Sequence, residues 1–198
     1  MDKRLTAEQA LNHIWITKGE TANQSHEGSS SRKVIERMSS FVFHSRFRTE
    51  ILMILVSHLK DSELVENKKA FYKFDTDFSG SIDFDEMVKT LDNEPTKMTR
   101  SSMTKLYNAI DFDDSGEIGF SEFTAASLAD DHLSEKNLKS IFNYLDRERN
   151  GHLTPKGLVS HFRLMGKKLS AEEARAMFDE VGVGEKMTYE RFADIMTQ

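Results

Sequence analysis

Apolar positions in this chain fall into helical runs separated by short polar stretches. From residue 63 onward they recur at three- and four-residue intervals, the period of one helix face. The pattern predicts helices over Glu63–Phe74, about Arg100–Ile110, Glu135–Leu145 and Ala171–Val181. A partner helix begins near Phe84, Phe120, Pro155 and Tyr189 in turn. Phe71, Phe74, Phe84, Phe123, Phe142, Phe162, Phe178 and Phe192 recur at equivalent places and are expected in the core. Ser170 with Glu173 forms a capping box, and Thr154 followed by Pro155 suits an N-cap and first turn. Upstream, no Gly or Pro occurs from Ser29 to Ser79. Residues 31–60 therefore read as one long amphipathic helix, with Val34, Met38, Phe41, Phe47, Ile51, Ile54, Leu55 and Leu59 as anchors. The fold class is all-α: a fourfold helix–loop–helix repeat paired into two lobes, preceded by a long helix.

The loops between paired helices carry the chemistry. The first is D-T-D-F-S-G-S-I-D-F-D-E, Asp75 to Glu86. The second is D-F-D-D-S-G-E-I-G-F-S-E, Asp111 to Glu122. Both follow the EF-hand pattern, with acids at positions 1 and 3, Ser at 5, Gly at 6 and Glu at 12. Calcium is a hard cation that takes several oxygen ligands, and this spacing supplies them from one short segment. The expected donors are Asp75, Asp77, Ser79, the Ser81 carbonyl, Asp83 at position 9 and a bidentate Glu86. In the second loop they are Asp111, Asp113, Ser115, Glu117 and Glu122, with water expected in place of a side chain at Gly119. Ile82 and Ile118 are expected to pair across a short two-stranded ribbon.

Two further loops have lost their donors. Asp146 to Gly157, D-R-E-R-N-G-H-L-T-P-K-G, keeps Asp146, Asn150, Gly151 and Leu153 but has Gly157 at position 12. Arg147, Arg149 and Lys156 outweigh Asp146 and Glu148, which opposes a cation. The fourth loop, near V-G-V-G-E-K-M-T-Y-E-R-F, is two residues short once Met187 is aligned with Ile118, and its acidic positions are empty. Two calcium ions are expected, both in the first lobe.

Composition narrows the rest. A net charge of −6, with the acids concentrated in loops, does not suggest nucleic acid. There are no cysteines, so neither a disulfide scaffold nor a thiolate metal site is available. No apolar run approaches the ~20 residues that span a bilayer, and nothing resembles a signal peptide. A cytoplasmic monomer is the expectation. The ten methionines include Met87, Met98, Met103, Met165, Met177, Met187 and Met196 within the hands, and they suit either ordinary core or grooves that take apolar helices. The seven histidines are scattered and suggest no catalytic or metal constellation.

Residues 31–60 carry six Lys or Arg and two Glu. A basic amphipathic helix suits an opened EF-hand groove, and the same pattern also suits an anionic membrane surface. Target and receptor share one chain here, which favours the intramolecular reading.

The opening segment, D-K-R-L-T-A-E-Q-A-L-N-H-I-W-I, resembles the closing segment of a eukaryotic protein kinase domain, R-x-[ST]-A-x-x-A-L-x-H-x-W. Arg4, Ala10, Leu11, His13 and Trp15 carry that match, with Ile14 where a Pro is usual. Kinase tail, basic junction helix and four hands is the order of the calcium-dependent protein kinases of plants and protists, and the resemblance covers essentially the whole chain. It implies five parts: a kinase remnant at 1–18, a linker at 19–30, an autoinhibitory junction helix at 31–61, a first lobe at 62–130 and a second at 131–198. It also implies a serine/threonine kinase as parent, with the kinase domain and the junction helix as intramolecular partners. In that family, calcium makes the hands seize the junction helix and relieves inhibition. No glycine-rich loop, H-R-D or D-F-G occurs here, so no catalysis is expected of this chain. With two intact loops where the family often carries four, the second lobe reads as a standing clamp and the first as the switch. The alternatives are a stand-alone sensor of the calmodulin type, binding a separate helix, and a calcium buffer.

Overall fold

The computed structural model describes residues 27–94 and 98–198, with side chains from residue 33. The kinase-like segment at 1–18, most of the linker, and Pro95 in the connector within the first lobe lie outside the described residues.

Ten α-helices and two short antiparallel ribbons make up the described chain. Helices α1 (Glu27–Phe41) and α2 (Arg46–His58) precede the lobes. The first lobe is α3 (Val65–Phe74), β1 (Ser81–Ile82), α4 (Phe84–Asp92), α5 (Arg100–Ile110), β2 (Ile118–Gly119) and α6 (Phe120–Ser127). A 3₁₀ turn at Asp130–Leu133 leads to the second: α7 (Glu135–Leu145), β3 (His152–Leu153), α8 (Pro155–Leu164), α9 (Ala171–Glu180), β4 (Met187–Thr188) and α10 (Tyr189–Thr197). Ile82 pairs with Ile118 in β1–β2, and Leu153 with Met187 in β3–β4. The second pairing matches the alignment of Met187 with Ile118. The fourth hand therefore keeps its ribbon although its loop is short.

The helix predicted over 31–60 is instead two. It stops at Phe41, and Ser45 starts a new one with extended backbone and a side chain that accepts from the Arg48 N–H. Ser45 is an N-cap two residues ahead of Phe47, the first apolar residue of the new helix, a signal masked by the unbroken helical period on either side. Packing gives the reason for the break. α1 lays Val34, Ile35, Met38 and Phe41 against α3, α5 and α6 of the first lobe. α2 packs against α6 on one side and against α7 and α9 of the second lobe on the other. One straight helix presents its stripe in a single direction, whereas these two halves face different surroundings.

That position explains the composition of α2. Phe47, Thr49, Glu50, Ile51, Leu52, Ile54, Leu55 and Val56 are all buried, so it is enclosed on nearly every side, with Thr49 and Glu50 the polar members. Phe47, fully buried, meets Phe178 and Phe192 edge-on, with ring centroids 5.7 and 6.3 Å apart. Phe71, Phe74 and Phe123 form the corresponding cluster in the first lobe. The predicted Phe positions thus form the core, although Phe84 is only partly buried, against Tyr107. Val65 begins α3, two residues later than predicted, because residues 61–63 form a turn in which the Glu63 carboxylate accepts the Lys60 N–H.

Candidate metal sites

In the first loop the Asp75 carboxylate is almost wholly buried and organises the backbone. Its oxygens accept from the Ser79 N–H at 3.0 Å and the Gly80 N–H at 3.1 Å. To present those N–H groups the chain turns left-handed at Phe78 (φ 60°) and Gly80 (φ 94°), and only glycine takes the second value without strain. The Ser79 hydroxyl donates to the Ser81 carbonyl at 3.0 Å, so two expected donors converge on one side of the loop.

Glu86 closes the loop from the far end. It stands in the first turn of α4, where it forms a capping box with Asp83. One carboxylate oxygen accepts the Asp83 N–H at 3.1 Å. The other reaches back across the loop to the N–H groups of Thr76 (2.7 Å) and Asp77 (3.2 Å) and to the Thr76 hydroxyl. The start of the loop and the start of α4 are thus joined through one side chain.

The second loop repeats this. Asp111 accepts from Ser115 N–H and Gly116 N–H. Glu122 accepts from Phe112 N–H and Gly119 N–H, both at 2.8 Å. Burial, opposed by those two hydrogen bonds, raises the Glu122 pKa above the usual carboxylate range. The Tyr107 hydroxyl donates to the carbonyls of Gly116 and Ile82, tying this loop to the ribbon. Its pKa is pushed up to about 12, first by burial and then by the nearby carboxylates.

Two carboxylate trios result: Asp75, Asp77 and Glu86, and Asp111, Asp113 and Glu122. Within each, one oxygen from every member lies within 4.8 Å of the others. Carboxylates this close repel unless a cation or proton sits among them. An all-oxygen set with no Cys or His suits calcium or magnesium rather than zinc. Asp83 lies outside the first trio and spends its side chain on the Glu86 N–H at 2.7 Å. Glu117, expected like Ser81 to offer its carbonyl, accepts there from the Ser115 hydroxyl at 2.8 Å, while its side chain is hydrogen-bonded to the Ser81 hydroxyl.

The third loop keeps the scaffold without the trio. Asp146 accepts from Asn150 and Gly151 N–H groups, and Arg149 (φ 52°) and Gly151 (φ 80°) repeat the left-handed steps. At position 12, however, Gly157 only donates its N–H to the Thr154 hydroxyl. A cavity of about 60 Å³ opens here, lined by Asp146, Asn150 and Gly157 among others. In the fourth loop Glu185 is turned outward to Arg175, at 2.8 Å.

Several groups had no sequence signal. Thr76 and Tyr107 steady the loops. Arg46 pairs with Glu173 at 3.2 Å, and its backbone N–H donates to Glu180. Glu50 is buried 3.7 Å from Lys167, and burial raises its pKa despite that ammonium. These contacts join α2 to the second lobe and depend on tertiary placement alone.

Residues 65–128 match the family description "EF-hand domain pair", and residues 124–162 match a second of the same description. The chain is 30% identical over 200 residues to calcium-dependent protein kinase 13 of Arabidopsis thaliana, covering 98% of this chain and 37% of that protein. Calcium-dependent protein kinase 34 of the same plant is 29% identical, and calcium-dependent protein kinase 2 of Zea mays is 29% identical, each across 98% of this chain. The chain thus spans about 37% of the length of the curated relatives it matches. EF-hand pairs are calcium-binding units, and the donor sets fit that ion. Residues 65–162 therefore carry EF-hand pairs, and the chain is similar to a part of the calcium-dependent protein kinases of plants.

Proposed function

We propose that this chain is the calcium-sensing regulatory region of a calcium-dependent serine/threonine protein kinase, in which the first lobe switches and the second lobe clamps. The observation that supports this most directly is the placement of α6. Its first turn carries Glu122, and the same helix packs against both α1 and α2. A change at the second loop therefore reaches both junction helices through one rigid element.

The proposed donors are Asp75, Asp77, Ser79, Ser81, Asp83 and Glu86 in one loop, and Asp111, Asp113, Ser115, Glu117 and Glu122 in the other. Bound calcium would supply the positive charge that offsets repulsion within each trio. Glu86 and Glu122 now hold backbone N–H groups of their own loops. Turning either carboxylate inward frees those groups and rotates the helix it starts. α4 and α6 would shift relative to α3 and α5, changing the groove that holds Val34, Ile35, Met38 and Phe41. In the parent protein the junction would leave the kinase domain when the lobe takes hold of it. One ion per intact loop, a monomer and a cytoplasmic setting belong to this reading. Among the described residues, no helix is long and apolar enough to cross a membrane.

The second lobe surrounds α2 with Phe178 and Phe192 around Phe47, Glu173 and Glu180 for Arg46, and Lys167 for Glu50, and in this reading it keeps them whether or not the first loops are filled. Calorimetric calcium titration of the whole chain, with amide exchange measured with and without calcium, tests the reading. The expected result is two ions per chain. Exchange should change strongly in residues 33–58 and the first lobe and little in residues 134–198. Three or four ions, or change confined to the second lobe, would overturn the division of labour.

A further inference from the structure

Where α2 ends against the second lobe, three rings stand in series. His161 of α8 meets the Tyr144 ring of α7 edge-on, with centroids 4.4 Å apart. Tyr144 in turn meets His58, the last residue of α2, also at 4.4 Å. His58 is held in that pose by a hydrogen bond between Nδ1 and the Ile54 carbonyl at 2.8 Å. His161 is 3% exposed, and neither of its ring nitrogens has a hydrogen-bond partner. A neutral imidazole carries one donor and one acceptor, so both are buried unpaired.

The surroundings oppose a proton on that ring. Burial, then Arg147 of the third loop, then His58 of α2 hold the His161 pKa below the ordinary 6.5. The other charged groups around it are engaged elsewhere or exposed. On α9, which packs along α8, Glu173 is held by Arg46 and Arg175 by Glu185. On α7, Glu135 is held by Lys139, and just beyond α8 Lys167 faces Glu50. Lys156 and Arg163 of α8 itself are exposed. No carboxylate is among the groups that act on His161.

We propose that the His58–Tyr144–His161 stack is an acid-sensitive fastener, closed while His161 is neutral and opened when it takes a proton, releasing the end of α2 from the second lobe. Swinging Tyr144 and His58 away would bring water to a protonated His161, whose nitrogens are unpaired in the closed stack. The open form therefore binds the proton more tightly than the closed one. Closure is fully favoured above the ordinary histidine value and weakens as pH falls through 6.5 toward the lowered value. The inference rests on the reading of the second lobe as a clamp on α2.

The test uses the whole chain, calcium-loaded, from pH 7.5 to 5. Histidine ring NMR follows each imidazole, and amide exchange is read over residues 54–58. His161→Phe keeps a ring against Tyr144 and cannot titrate. Exchange at 54–58, corrected for its intrinsic pH dependence, should rise about tenfold below pH 6 in the unaltered chain and stay low in His161→Phe. His44, at the other end of α2, has its pKa lowered to about 4 by burial and then Arg48, so exchange near Arg46 is not used. Equal acid-induced opening in both proteins overturns the proposal, as does a His161 ring that titrates at the ordinary value. If His161→Phe does not fold, the ring titration of the unaltered chain decides. Absent protection at pH 7.5 would overturn the clamp itself, whereas protection that survives acid would overturn the fastener alone.

Discussion

The second and third loops have almost the same backbone and opposite chemistry. Both begin with a buried Asp whose oxygens accept two N–H groups, and both turn left-handed at positions 4 and 6. At position 12 one has Glu122, which joins loop to helix, and the other has Gly157, which leaves a small cavity. Loop shape therefore does not depend on the carboxylate that would close the coordination shell. Asp at position 1 and Gly at position 6 suffice for the turn. Position 12 decides whether the loop can act on the helix after it. A hand can thus lose its chemistry and keep its place in the lobe, because its ribbon and its apolar helix faces are untouched. The second lobe is such a case: Leu153 still pairs with Met187 and Phe192 still packs on Phe142.

The sharpest break of this comparison is at Phe47, which belongs to the second lobe's core. Phe47→Ala should cost about 3–5 kcal/mol, the range for emptying a buried aromatic site. Urea unfolding should show the loss in the second lobe, while calcium stoichiometry in the first stays at two. Next in size is Glu122→Gln, which keeps shape and removes charge. It should weaken calcium binding at the second loop about 100-fold, roughly 2.7 kcal/mol. A smaller loss is expected at the first loop, reached through Ile82 and Ile118. An unchanged calorimetric titration would contradict the ligand assignment.

Gly157→Glu sharpens the contrast between the loops from the other side. A Cβ there would sit 3.1 Å from the Thr154 hydroxyl, tight but against a side chain. The variant should gain weak calcium binding, on the order of millimolar, because Arg147 and Arg149 remain. Submicromolar binding would mean that position 12 alone had silenced the loop. Smallest is Arg46→Ala, which removes the half-exposed pair with Glu173 while the backbone bond to Glu180 survives. It should cost under about 1 kcal/mol, measured by thermal unfolding in low and high salt.

The two donor-rich loops, the lost donors of the other two, the ribbon pairs and most helix starts were legible in the sequence. These are local properties: a turn needs its Asp and Gly within a few residues, and a cap needs its Ser or Thr just ahead of the helix. Ser45 is the exception that proves instructive. The cap was there to be read, but an uninterrupted apolar period through residues 31–60 hid it, since periodicity reports which face is apolar and not whether the axis continues. What only the tertiary structure decided is where each apolar face goes. α1 lies in the first lobe, α2 lies between the two, and α6 touches both. The same holds for the contacts that Arg46, Glu50 and His58 make with the second lobe, whose partners Glu173, Lys167 and Tyr144 are all more than 80 positions away in sequence. Local chemistry fixes a loop because its members are neighbours in the chain, whereas contacts at such separations exist only once both lobes have closed on the helix between them.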